Sequence, residues 1–341
     1  MKLKEIAAKA NVSPSAVSLV LNGKEGVGEE KRRMISELLE SHGYHVSPYG
    51  SVKAKSAEQK GNLLFIKYRL HGMLVDGNPG FVNSIVDALS IECVRRGCPL
   101  QIISCGQSQL PSLAEIVSAA EVDGVLFLGT ELTGEDMRYL SAVTVPMVVL
   151  DACLPMVDYS CVTMNNREAV FSSVRHLISL GHTQIGFIAN QQPSNNCRDR
   201  ETAFCAAMGQ AGLRLNRDWL YAVPSTSDGA YRAMCELLDR GVVFPSALVA
   251  NNDSIALGVL KALKERGIRV PRDISVIGFD GIPYAAFSDP PLTTVEVPCA
   301  EMGIWAVRML CDRIQYPFSA ATKMMVSTHL LVRESTAPKI S

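Results

Sequence analysis

The sequence predicts an α/β protein: a small three-helix head ahead of a larger body built as two doubly wound lobes. Three observations predict it. Apolar residues recur at helical spacing over 1–45, core formers are almost absent over 46–60, and from Gly61 onward short apolar runs alternate with amphipathic helices. The last pattern is that of βαβ units in a parallel sheet covered on both faces. A chain of 341 residues has room for two or three domains. The expected division is a head over 1–45, a linker over 46–60 and a body over 61–341.

In the head, Leu3, Ile6, Ala7 and Ala10 follow the i, i+3, i+4, i+7 spacing of one apolar helix face. Asn11-Val12-Ser13-Pro14 interrupts it. Ser13 is placed to cap a second helix, and Pro14 fits the first helical position, where its missing N–H has no partner to lose. Ala16, Val17, Val20 and Leu21 form that helix's core face, Pro14, Ser15, Ser18, Leu19 and Asn22 its outer face, and Asn22-Gly23 ends it. A third helix is predicted from about Glu29 to Ser41, with Met34, Ile35, Leu38 and Leu39 toward the core and an acidic first turn that suits the helix dipole. Two short helices joined by a tight turn form a helix-turn-helix, whose second helix is placed to enter a DNA major groove. Charge is consistent with that: residues 1–60 carry 10 Lys+Arg against 7 Asp+Glu, and the remaining 23 against 27 make the body slightly acidic.

The body's predicted strands are Leu63–Tyr68, Leu100–Ser104, Val125–Leu128, Met147–Leu150, Cys161–Met164, Ile185–Ala189, Ala247–Ala250, Ile274–Phe279 and Thr293–Val297. So many exceed one comfortable sheet, hence two lobes. Ligands of open α/β sheets bind beyond the carboxyl ends of strands, which selects Asp151, Asn252, Asp253 and Asp280 as polar residues just after apolar runs. A helix N-cap or a surface ion pair is the competing reading of each.

Other function classes find little support. Ten cysteines without a C-x-x-C pair read as reduced core residues, and His42-Gly-Tyr-His45 lacks further ligands at metal spacing. No metal or cofactor is expected. Phosphate-loop, dinucleotide, nucleophile-elbow and zinc-protease motifs are all absent from the sequence, so no enzyme is expected. No apolar run reaches the roughly 18 residues of a membrane span, and the charged start offers no signal-peptide core, so a cytoplasmic protein without membrane contact is expected.

The run from Ile6 to Lys24, Ile-Ala-Ala-Lys-Ala-Asn-Val-Ser-Pro-Ser-Ala-Val-Ser-Leu-Val-Leu-Asn-Gly-Lys, resembles the head of the lactose-repressor/galactose-repressor family of bacterial transcription regulators. Val122-Asp-Gly-Val125, Leu180-Gly-His182, Ala250-Asn-Asn-Asp253, Ile274-Ser-Val-Ile-Gly-Phe-Asp280 and Pro291-Leu-Thr-Thr-Val-Glu-Val-Pro298 extend the likeness over nearly the whole chain. The resemblance implies a periplasmic-binding-protein type I-like body closing over a small effector, a carbohydrate. It implies a homodimer on a pseudo-palindromic double-stranded operator, with repression as the default. It assigns Lys4, Ser13, Pro14, Ser15, Ser18, Leu19 and Asn22 to DNA, and adds Arg200 and Phe81 to the effector cleft. Small hydroxyls and amides on the outer face meet phosphates and base edges without holding the helix out of the groove.

Departures from the family pattern are informative. Leu19 stands where many relatives carry Arg, which removes a bidentate guanine contact and leaves an apolar contact to a thymine methyl. The minor-groove hinge pattern is kept at Gly43 and Tyr44 but lost at Val46, Ser47 and Lys53, while Pro48 and Gly50 oppose helix. Residues 46–60 therefore read as a flexible linker. Arg69-Leu-His-Gly-Met-Leu74 looks like an insertion beside the cleft, and Ser225 stands where some relatives stack an aromatic on the ligand. A solute-binding protein sharing only the body is the alternative; the helix-turn-helix argues against it.

Overall fold

The computed structural model describes residues 6–7, 9–10, 12–21, 26–40, 61–154, 157–317 and 319–339. The chain divides into two compact units, Met1–Gln59 and Lys60–Ser341. The predicted linker and hinge positions 46–60 lie outside the described residues, as do Leu3, His42 and His45.

In the first unit, Ile6, Ala7 and Lys9 are helical, followed by α1 (Pro14–Leu21) and α2 (Glu29–Glu40). Ser13 caps α1 as its position predicts: its Oγ accepts the Ala16 N–H at 3.2 Å. Ile6, Ala7, Ala10, Val17, Val20, Ile35 and Leu39 make a buried core. Met34 corrects the predicted core face, for it is 41% exposed. The stripe of α2 that faces inward runs through Ile35, Leu38 and Leu39, and Val12 and Val27 from the flanking turns complete the packing.

The second unit holds two six-stranded sheets. The N-terminal lobe comprises β1 (Leu63–Arg69), β2 (Leu100–Gly106), β3 (Gly124–Leu128), β4 (Met147–Leu150) and β5 (Ser160–Met164), with α3 (Pro79–Arg96) between β1 and β2, and short α4 (Leu113–Ala119) and α5 (Met137–Leu140). The C-terminal lobe comprises α6 (Asn166–Ser179), β6 (Ile185–Asn190), α7 (Asn195–Gln210), β7 (Leu220–Val223), α8 (Ser227–Asp239), β8 (Ala247–Ala250), α9 (Asp253–Glu265), β9 (Ser275–Asp280) and β10 (Thr293–Glu296). The chain then returns: α10 (Cys299–Gln315) and β11 (Lys323–Val326) complete the first lobe, and β12 (His329–Leu331) completes the second. The orders are β11-β5-β4-β3-β1-β2 and β12-β10-β9-β8-β6-β7, parallel except that β12 runs against β10. Crossings thus fall after Met164, after Glu296 and after Val326.

All nine predicted strands are present, with ends displaced by at most two residues. β7, β11 and β12 are additional. Each is three or four residues long, lies at a sheet edge and is only partly buried. Where α10 crosses α3, Gly303 is required: a Cβ there would lie 2.6 Å from the Cβ of Ala88.

Candidate functional site: an interlobe cleft and a DNA-reading helix

The strand ends of the two sheets face each other, and their polar residues meet in a narrow cleft. Asp151 directly follows β4, Asp280 ends β9, Asn251 and Asn252 follow β8, and Arg200 reaches in from α7. Asp151 and Asp280 adopt φ of 60° and 112°, uncommon for non-glycine residues and frequent at binding sites. The Arg200 guanidinium carbon sits 3.6 Å from the centroid of the Phe279 ring. Its Nε donates to Asn166 Oδ1 at 2.9 Å, its Nη1 donates to the Asn251 carbonyl at 2.7 Å, and Nη1 lies 3.7 Å from Asp280 Oδ1.

Amides answer the carboxylates, two of them across the cleft. Asn78 Nδ2 donates to Asp280 Oδ2 at 2.5 Å, and Asn196 Nδ2 donates to Asp151 Oδ1 and to its carbonyl, both at 2.8 Å. Thr130 Oγ1 donates to Asp151 Oδ2 at 2.5 Å. Burial pushes the Asp151 carboxyl up to about 6, against the pull of Thr130, Arg200 and Asn196. Burial pushes Asp280 up to about 7, with Arg200 opposing and the charge of Asp151 adding to the rise. One guanidinium thus faces two carboxylates in a site from which water is largely excluded. The space between these groups is about 30 Å³, room for a water or two. A larger open groove of about 640 Å³ shares only Phe81 and Asp280 with the cleft and lacks its convergent buried polar groups.

Phe81, Asp151, Arg200, Asn252 and Asp280 all border the cleft. Asn252 also caps α9, its Oδ1 accepting the Ile255 N–H at 2.8 Å, so the N-cap reading of this residue holds. Asp253 is corrected: it is fully buried and turned into the C-terminal lobe, where Oδ1 accepts from Thr294 Oγ1 at 2.5 Å and Oδ2 from the Ile282 N–H at 2.9 Å. Gly278 makes this fit, because a Cβ there would collide with Asp253 Oδ1. Burial and the nearby Asp280 carboxylate push Asp253 up to about 8. Asn78, Thr130, Asn166, Asn196 and Asn251 were not predicted. The strand-end rule applied to β3 would have reached Thr130; nothing local marks the amides as partners of distant carboxylates.

On the head, Ser13 and Ser15 are exposed, their hydroxyl oxygens 2.8 Å apart, and Leu19 is half-buried. Pro14 and Ser18 lie in α1. Lys4 and Asn22 lie outside the described residues. Among the described residues no cluster of His, Cys, Asp or Glu is arranged to hold a metal, and no helix is long and apolar enough to cross a membrane.

A helix-turn-helix head in one chain with a two-lobed, ligand-cleft body defines a class: transcription regulators that read DNA with one unit and bind a small molecule with the other. Residues 2–47 match the model of bacterial regulatory proteins of the lacI family, and residues 174–336 match the periplasmic binding protein-like domain. The chain belongs to the lacI family. It is 28% identical to the HTH-type transcriptional repressor CytR of Escherichia coli (strain K12), over 98% of this chain and 96% of that protein. It is 27% identical to the HTH-type transcriptional repressor PurR of Pasteurella multocida (strain Pm70), over 99% of each. A solved structure of the transcriptional regulator CelR in complex with cellobiose superposes with a TM-score of 0.73 at 27% identity, covering 98% of this chain and 99% of that one. The protein is a DNA-binding transcriptional regulator and not an enzyme. The match over residues 2–47 removes the solute-binding alternative.

Proposed function

We propose that the protein is a repressor, that its homodimer holds a pseudo-palindromic operator through α1, and that its operator grip is set by a small polyhydroxylated effector, a carbohydrate or carbohydrate derivative, in the interlobe cleft. The observation that carries the effector reading is the set of buried groups Asp151, Arg200 and Asp280, in which each of the two carboxylates is partnered by an amide of the opposing lobe that a ligand's hydroxyls replace. Sugar hydroxyls both donate and accept, so they satisfy carboxylates and a guanidinium together; an analogue lacking one leaves a buried group unpaired, which gives discrimination. A ring larger than the present cleft enters only as the lobes part about their three crossings. Regulation then requires that the effector bind one lobe arrangement more tightly than the other.

Ser13, Ser15, Ser18 and Leu19 are the proposed base and phosphate contacts, with Lys4 and Asn22 flanking them. Pairing is supported by exposed apolar side chains on both lobes: Ile91 and Val94 on α3 with Ile102 on edge strand β2, and Tyr284 and Phe287 after β9. The test is selection of bound duplexes from a random pool at near-physiological salt, where sequence-independent phosphate binding is weak. An enriched palindrome released by one carbohydrate and not by its deoxy analogues is the expected result. A single half-site, or release indifferent to carbohydrates, overturns the dimer or the effector assignment respectively.

A further inference from the structure

All ten cysteines are free, and the sequence reads them as packing residues. Two of them stand differently. Cys161 on β5 is paired with Val149 of β4 on one side and with Lys323 of β11 on the other, so the three side chains share one face of the sheet. Cys153 reaches that face from the loop after β4, where Asp151 turns the chain at a φ of 60° and Ala152, Cys153 and Leu154 pack on the cluster that contains Cys161. Tyr159 fixes the loop, its hydroxyl accepting the Leu154 N–H at 2.5 Å and lying 3.5 Å from the Ala152 carbonyl. Lys323 Nζ donates to the Leu154 carbonyl at 2.8 Å and stands 5.4 Å from the centre of the Tyr159 ring.

The two thiols are joined in this arrangement, the Cys161 S–H donating to the Cys153 sulfur. Cys161 is fully buried, whereas Cys153 is open to solvent in part. The hydrogen bond from Cys161 holds the Cys153 thiol below its ordinary range against burial, and Lys323 adds to the fall against Asp199. The same bond, with burial, pushes Cys161 up. Burial also pushes up Cys93, Cys105, Cys205, Cys299 and Cys311. Cys311 is itself hydrogen-bonded to Cys98, so that second thiol pair is a built-in comparison.

We propose that Cys153 and Cys161 form an oxidisable dithiol site for hydroperoxides, with Cys153 as the attacking thiol and Cys161 as the resolving one. The Cys153 thiolate attacks one oxygen of hydrogen peroxide, the O–O bond breaks, and hydroxide leaves to become water with the proton that the thiol gave up. The Cys161 sulfur then attacks the sulfenic sulfur; the S–O bond breaks, and hydroxide leaves with the Cys161 proton as a second water. Two thiols thus lose two electrons to form one disulfide, and the peroxide is reduced to two waters. The Asp151 N–H donates to the Val162 carbonyl at 2.9 Å, so the disulfide ties the chain on both sides of a residue that borders the cleft.

The test is treatment of the reduced full-length protein with near-stoichiometric hydrogen peroxide, followed by proteolysis and mass spectrometry. A Cys153–Cys161 linked peptide, two hydrogens lighter than its parts and reversed by dithiothreitol, is expected to form about tenfold faster than oxidation at any other cysteine. Cys161→Ser keeps the hydrogen-bond donor, and it is expected to stop the reaction at a Cys153 sulfenic acid trapped by dimedone. In Cys153→Ser, Cys161 is expected to stay reduced at the same peroxide concentration. Lys323→Met changes an exposed side chain; it is expected to slow the oxidation several-fold and to raise the pH at which iodoacetamide alkylates Cys153 at half its full rate. A Cys98–Cys311 linkage that forms as fast, a dimedone adduct no richer at Cys153 than elsewhere, or a Cys153 disulfide joining two protomers overturns the assignment.

Discussion

The outer face of α1 and the floor of the cleft are both polar, yet they hold their polarity in opposite ways. On the head, Ser13 and Ser15 stand in solvent with each other and the Ala16 amide as partners, and the rest of their hydrogen-bonding capacity faces outward. In the cleft, each carboxylate and the guanidinium is answered from within the chain, by Asn78, Thr130, Asn166, Asn196 and Asn251. An exposed polar group asks of the fold at most a local cap such as that of Ser13, so it is changed at small structural cost. A buried one is stable only with its partners, so altering one member disturbs all.

That contrast is broken most directly at Arg200. Arg200→Ala leaves Asp151 and Asp280 buried without a counter-charge, and it is expected to lower stability by about 3–5 kcal/mol in urea titration and to abolish effector binding. An unchanged urea midpoint would show that the floor is not interdependent. Asp253→Ala comes next, at about 1–3 kcal/mol from lost hydrogen bonds at a buried site. Because Asp253 faces away from the cleft, effector affinity of the folded protein is expected to stay at the wild-type value; a large loss would return it to the site.

Acidity sharpens the comparison further. Asp151 and Asp280 have folded values raised by burial above the ordinary carboxylate range, so folding takes up protons between about pH 4 and 7. Stability from this source is present at low pH and declines as pH rises through that window. Asp280→Asn is expected to flatten the decline in urea midpoints. His182 works in the opposite sense. Its ring nitrogens contact Ser246, Ser275 and the Ala337 carbonyl. Burial lowers its folded value, so stability present above about pH 6.5 is lost as pH falls below it.

The smallest structural effect is expected on the head. Leu19→Arg is predicted to shift operator preference toward guanine by about 1–3 kcal/mol at one position, read by the same duplex selection, with urea midpoint and effector affinity unchanged. A changed effector affinity would contradict the separation of the two surfaces.

How much of this was legible follows from the same contrast. The helix-turn-helix is a run of neighbours, so Ser13 as cap and Val17 and Val20 as core were readable from spacing alone. Met147–Leu150 and Ala247–Ala250 were likewise fixed by their apolar runs, and Asp151 and Asp280 by their place after such runs. The strand-end rule gives position and not direction, so it selects Asp253, one residue past a cap, although its side chain turns into the C-terminal lobe. Asn78 and Asp280 are 202 residues apart, and no local signal joins them. Helical spacing alone does not say which edge of an apolar stripe meets the neighbouring helix, so it places the exposed Met34 on the core side.

The three crossings between the lobes have a consequence for synthesis. The N-terminal lobe lacks α10 and β11 until the chain is nearly complete, so on the ribosome its sheet keeps an open edge at β5 while the C-terminal lobe is being made as far as β10. The head, with a core of its own, is finished far earlier. A message that ends early, before residue 299, therefore yields a finished head attached to a body with one lobe incomplete. The proposed control over the head is the last thing each new molecule acquires.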